Sequence, residues 1–240
     1  AGYLAFNHIN SFKKTEALRA DIIELNNQYV KEPLADVLSH DIILDHNGES
    51  LNVQSAMLLK NNLQQPLSKL IFSLNAGLEI TDLKINGKTA PFVREDHLVI
   101  VSDQPGLQPG DSTKVEFTYN GTIDEAYCYL DIDEELRQEK YGQFVLNVDK
   151  RYAFVTPDYV LLTREANWYP KVGVTYSSED VSWYKPEFVD YSLTVNTKEG
   201  LQAVSEGEMT AISAGKFHFE PQTPLTQLSL AIGKYEYKSL

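Results

Sequence analysis

The chain has 240 residues, with 21 basic and 34 acidic side chains and a formal net charge of −13. That length allows one large β domain or two small ones with a real core. The charge excludes a nucleic-acid backbone or an anionic membrane surface as a main partner, because both would repel it.

One cysteine, Cys128, rules out an internal disulfide. No apolar run is long enough to span a bilayer, and no stretch reads as a signal peptide. In chain order, Tyr3, Leu4, Phe6 and Ile9 are apolar without a clean period. From Ser11 to Glu32 the pattern becomes helical. Leu18, Ile22, Leu25 and Tyr29 share one face, while Lys14, Glu16, Arg19, Asp21 and Glu24 fall mostly on the other. Ser11 is the expected N-cap and Pro33 the stop. The apolar stripe has three candidate seats: the side of a sheet, a partner chain or a neighbouring domain.

Beyond residue 40 the period switches to two. Strands are expected at Asp41–His46, Ser50–Leu59, Leu67–Leu74, Leu78–Ile85, His97–Val101 and Lys114–Tyr119. Asn47-Gly48 and Asn86-Gly87 mark tight hairpins. In Lys114–Tyr119 the inward residues are Val115, Phe117 and Tyr119. Further strands are expected at Gln143–Val148, Tyr152–Val155, Tyr159–Leu162, Phe188–Asn196, Gln202–Ser205, Glu208–Ile212, Phe217–Glu220 and Thr226–Ile232. Short strands with turn signals between them predict a mainly β chain of antiparallel, saddle-like or sandwich sheets, with one N-terminal amphipathic helix. The expected division is an arm over residues 1–40, carrying a helix at about 11–32, and an all-β domain over 41–240.

The acids of residues 121–142 interrupt the strands. Asp131, Asp133 and Glu135 alternate like calcium ligands, but Leu136 and Gly142 stand where an EF-hand loop needs glycine and glutamate. The segment therefore reads as a solvated acidic insert. The five histidines, His8, His40, His46, His97 and His218, form no H-E-x-x-H and no i, i+4 pair. His218, between Phe217 and Phe219, points to the opposite strand face from them. There is no nucleophile elbow and no phosphate loop. Cys128 sits between two tyrosines near acids, a poor setting for a thiolate. The residues thus show no catalytic machinery, and neither a metal nor a cofactor is expected in this chain.

One stretch joins the two strand blocks, Leu161 through Pro170, with Trp168-Tyr169-Pro170 at its end. It has two readings: a packed corner between sheets, or the rim of a substrate cleft faced by Arg164, Glu165, Trp168 and Tyr169.

Several phrases resemble one family. Phe217 through Tyr235 is similar to the closing strands of the N-terminal domain of aminopeptidase N (gluzincin) metallopeptidases. Tyr191-Ser-Leu-Thr-Val and Ala203-Val-Ser-Glu-Gly207 resemble that domain's inner strands, Trp168-Tyr169-Pro170 its aromatic-proline element, and Ile43 to Asn61 its opening hairpin. The resemblance covers about residues 41–238. It implies a saddle-shaped, non-catalytic β domain that scaffolds and walls the cleft of a zinc peptidase domain absent from this chain. Zinc is then expected only in that domain. The implied partners are that C-terminal peptidase-like domain and a peptide substrate. The family's cleft glutamine has no match near Trp168, which leaves Arg164 or Glu165 as a substitute. The helical arm and residues 129–135 look more like bacterial ABC-type permeases with an aminopeptidase-like extracytoplasmic region. That implies an extracytoplasmic setting, with membrane tethering through flanking segments. The rival reading is a free-standing extracytoplasmic sandwich that binds ligands or adheres through an exposed aromatic row.

Overall fold

The computed structural model describes residues 2–102, 106–132, 151–180 and 186–236, with helical side chains from residue 16 onward. Helix α1 (Gly2–Tyr29) is followed, among the described residues, by sixteen strands in three sheets. The expected strand over Gln143–Val148, and Asp133, Glu134, Glu135 and Glu139 of the acidic insert, lie outside the described residues.

The largest sheet has eight strands. Its centre is the pair β1 (Asp36–Asn47) and β2 (Ser50–Lys60). On the β2 side follow β8 (Ser112–Gly121), β4 (Leu78–Ile85) and β5 (Lys88–Thr89). On the β1 side follow β12 (Asp190–Asn196), β15 (Lys216–Glu220) and the edge strand β14 (Glu208–Ser213). Its burial alternates as the period predicted: Val115, Phe117 and Tyr119 of β8 are buried, as are Leu51, Val53 and Met57 of β2. His218 does point away from its phenylalanine neighbours, hydrogen-bonding Thr194 Oγ1 at 3.1 Å.

Two four-stranded sheets complete the fold. One runs β11 (Lys171–Val172), β3 (Leu70–Ser73), β7 (Leu98–Val101), β6 (Val93–Glu95). The other runs β13 (Gln202–Ser205), β16 (Leu230–Gly233), β10 (Tyr159–Leu162), β9 (Phe154–Thr156). One buried cluster joins all three sheets, with Leu44, Phe72, Phe117, Leu162, Trp168 and Ile232 among its members.

Four features differ from the sequence reading. The pairing is antiparallel except between β1 and β12, which run parallel with Ser39 opposite Asp190. A parallel pair needs a long crossover, here most of the chain. Strand β1 starts at Asp36, so the sheet reaches into the stretch assigned to the arm. The first hairpin is shifted by one residue. Asn47 still pairs with Ser50, and the turn is Gly48-Glu49 with Gly48 at φ 69°. At Asn86-Gly87, by contrast, both residues have positive φ, 49° and 77°, as a type I′ turn requires.

The fourth difference is the helix. It begins at Gly2 and ends at Tyr29, so Ser11 is a mid-helix residue and not a cap. Among its described side chains the buried positions are Arg19, Ile22 and Asn26, while Leu18, Leu25 and Tyr29 are only half-buried. Arg19, expected toward solvent, points inward because backbone carbonyls wait for it. Its guanidinium donates to the carbonyls of Tyr129, Leu130 and Ile132 at 3.1–3.3 Å. Asn26 accepts from His97 Nε2 at 2.7 Å and donates to Thr175 Oγ1 at 3.3 Å. Tyr29 donates to Glu95 at 3.0 Å. Among the described residues a small apolar cluster, Ile22 with Tyr127 and Leu130 and with Leu18, Ala76, Ala126 and Tyr176 packed against it, supports these contacts. The helix therefore seats on its own domain, through polar anchors around one buried isoleucine.

Candidate functional site

The corner after β10 is built by a single 3-10 turn, Arg164–Ala166. Asn167 ends it in the left-handed region at φ 50°, a conformation asparagine tolerates better than most residues. Its N–H donates to the Arg164 carbonyl at 3.1 Å. Asn75 fixes the turn from behind. Its side chain donates to the carbonyls of Asp124 and Ala166, both at 3.0 Å, and its N–H donates to the Asn167 carbonyl at 2.9 Å.

Beyond the turn, two rings enter the core. Trp168 is fully buried, and its carbonyl accepts the Tyr119 hydroxyl proton at 3.0 Å. Tyr169 is 1% exposed, packs edge-on against Trp168 and His40, and accepts a hydrogen bond from Leu228 N–H at 3.1 Å. Burial pushes the Tyr169 phenol up to about 12. Pro170 then ends the element and β11 begins. Gly173 follows at φ 85°, a left-handed backbone that favours glycine, with Leu34 of the chain leaving the helix packed beside it.

Tyr169 also lines a cavity of about 620 Å³. Its lining comes from the inner faces of β1, β2 and β12 (His40, Met57, Tyr191), from the chain after α1, and from the corner residues Arg164, Glu165, Asn167 and Lys171. Acidic side chains outnumber basic ones along this lining. The four residues singled out from the sequence thus divide. Arg164, Glu165 and Tyr169 come together on the cavity, and Trp168 sits behind it in the core. Arg164 and Glu165 face each other at 3.8 Å.

Two cavity groups were not expected. His40 is buried with Nε2 2.6 Å from Ser55 Oγ, and burial lowers its pKa to about 3, so it is a neutral polar core residue. Lys171 lies one residue past the aromatic-proline element. Its Nζ donates to the Arg164 carbonyl and, at 3.0 Å, to Asn167 Oδ1, with the Tyr169 ring centroid 5.5 Å away. Burial, and then the Arg164 charge, lower its pKa to about 7, against smaller opposing effects of Glu165 and Cys128. A basic residue directly after Trp-Tyr-Pro was the available sequence signal. Cys128 is buried. Of the three insert acids that are described, Asp124 caps a 3-10 turn and Glu125 binds Arg151 and, at 2.7 Å, the Tyr152 N–H, which are structural roles, while Asp131 lines the cavity. Among the described residues no group of three or more histidine, cysteine or acidic side chains is placed to hold a metal ion.

No family model matches the sequence, and no curated protein does. The fold does have relatives among solved structures. An M1 zinc metallopeptidase from Deinococcus radiodurans is similar at a TM-score of 0.56 and 16% identity, over 83% of this chain and 42% of that one. Yeast LTA4 hydrolase in complex with bestatin is similar at 0.56 and 12%, over 85% and 29%. Legionella pneumophila aminopeptidase A in complex with aspartic acid is similar at 0.53 and 11%, over 85% and 22%. The chain has the fold of one part of these peptidase chains and spans less than half the length of each.

Proposed function

We propose that this chain is the non-catalytic N-terminal β domain of a larger aminopeptidase-like protein, where it scaffolds and walls the cleft of a zinc peptidase domain. The observation that carries this reading is the partial match: 83% of the chain superposes on only 42% of an M1 zinc metallopeptidase. The order of the sequence phrases, opening hairpin through closing strands, agrees with it. The cavity bordered by Arg164, Glu165 and Tyr169 supplies a surface suited to face a substrate cleft. The test is an assay of the purified chain with amino-acid anilides and added zinc, beside its full-length parent. The chain alone is expected to be inactive, and zinc-dependent turnover by it would refute the reading.

An extracytoplasmic, membrane-tethered setting belongs to the same proposal, on the likeness of the arm and residues 129–135 to permease-linked regions. Fractionation that finds the parent wholly in the cytoplasm would remove it. The rival binding-module reading asks for an exposed aromatic row. Among the described residues the exposed aromatic rings are Tyr159, Phe188 and Tyr235; Tyr159 and Tyr235 are hydrogen-bonded to each other, which is the feature that favours the rival.

A further inference from the structure

The eight-stranded sheet ends in two edges that differ. Strand β5 is two residues long and carries Lys88, a short charged edge that discourages further pairing. Strand β14 has six residues, all exposed, with neither lysine nor proline and a single charge, Glu208, at its first position. Among the described residues no strand covers its outer side, so its outward N–H and C=O groups stand open to another strand. Its one irregularity is the register shift between Ala211 and Ser213, and residues 208–211 pair regularly with β15.

The register sets the face that each residue takes. Met209 and Ala211 lie opposite the buried Phe219 and Phe217, on the core face, and Met209 is 38% exposed there. Glu208 and Thr210 lie opposite Glu220 and His218, on the other face. These faces make the edge complementary to itself. When Thr210 stands on a two-fold axis, it meets Thr210 of the copy, and Met209 meets the copy's Ala211 on the core face. Moving the axis to Ala211 would set Met209 against Ser213 and lose the apolar match. The charges agree with the first register. Glu208, which accepts a hydrogen bond from Gln222, and Glu220 mark one end of the β14–β15 hairpin, and Lys216, opposite Ser213, marks the other. Antiparallel pairing sets the acidic end of each hairpin beside the basic end of its copy. A two-fold contact needs a patch of this self-complementary kind.

We propose that β14 is a self-association edge, which pairs antiparallel with β14 of a second copy of this chain about an axis at Thr210 and joins the two large sheets into one. Six residues make a contact below the roughly 1,000 Å² of a tight interface, so the dimer is weak and grows with concentration. The net charge of −13 opposes it, but at physiological salt charges more than about 8 Å apart are largely screened. The assignment uses only residues of this chain and stands apart from the peptidase-domain reading.

The test is sedimentation of the intact chain at physiological salt, from micromolar to millimolar concentration. The mass is expected to rise from one chain toward two. A mass of one chain at every concentration would overturn the proposal and leave the edge to a strand of another protein. Thr210→Lys places two like charges opposite each other on the axis and is expected to hold the mass at one chain. Thr210 is exposed, so the variant's circular dichroism is expected to match that of the unaltered chain. A dimer that survives Thr210→Lys would place the contact elsewhere and refute the edge. Oxidative cross-linking reads the register, with the native Cys128 buried. Thr210→Cys is expected to give a disulfide-linked dimer at least about tenfold faster than Thr118→Cys, an exposed position on β8 far from this edge. Equal rates for the two variants would refute the two-fold pairing.

Discussion

Two parts of this molecule are held by opposite means. At the Trp168–Tyr169 corner, rings from one short stretch meet the inner faces of the sheets, and buried area does most of the stabilising. The Trp168 indole N–H has no acceptor among the described residues, so that ring is held by packing. At the α1 seat, among the described side chains, one isoleucine is fully buried, and Arg19, Asn26, Asn27 and Tyr29 fix the helix through directed hydrogen bonds. Packing tolerates small shifts of neighbours, whereas hydrogen bonds fail at the first ångström. The corner should therefore behave as part of the global folding unit, and the helix as a separately releasable element.

The sharpest way to break the comparison is Trp168→Ala. It should cost about 3–5 kcal/mol and lower the midpoint of global chemical unfolding. Arg19→Ala should cost about 2–3 kcal/mol, by stranding the carbonyls of Tyr129, Leu130 and Ile132. Its effect should appear in hydrogen exchange as loss of protection in α1 and residues 127–132, with β1, β2 and β8 unchanged. If Arg19→Ala instead lowers protection evenly across the sheets, the two regions are one unit.

Acid should loosen both regions. Burial lowers His40, at the corner, and His97, at the helix seat, to about 3; for His97 the Arg94 charge adds to the effect. Both depressions favour the neutral ring in the fold. Their contribution is complete above the unfolded value near 6.5 and is lost as pH falls from there toward 3, by about 1.4 kcal/mol per unit for each ring. His97→Gln should remove one of the two slopes from an acid titration of stability. The smallest expected effect is that of Ser11→Ala, within about 0.5 kcal/mol, because Ser11 lies inside the helix; a true cap would cost about 1 kcal/mol or more.

The same contrast explains what could be read from the sequence. Strands with one buried face announce themselves through alternation, so Ser50–Leu59 and Lys114–Tyr119 stood out, inside the observed Ser50–Lys60 and Ser112–Gly121, as did the hairpin turn at Asn86-Gly87. The helix was visible but misplaced at its start. A serine before an apolar run looks like a cap whether or not the preceding residues continue the helix. Its seat was hidden because an apolar period counts only apolar residues, and here arginine and asparagine do the anchoring. The parallel partnership of β1 with β12 was also hidden, since no local signal carries a register across so long a crossover. At the candidate site, Arg164, Glu165 and Tyr169 were legible from their place beside an aromatic-proline element. His40 and Lys171 were not, because a strand histidine is brought to the cavity only by tertiary pairing, and a lysine reads as solvated until its acceptors are known.

The cleft-wall role is tested most directly by hydrogen exchange of residues 164–175 and 30–37 in the isolated chain and in its full-length parent. The account predicts added protection of both segments in the parent, because a peptidase domain would cover the side where the cavity opens. Equal exchange in the two forms, or a parent no longer than this chain, would contradict it.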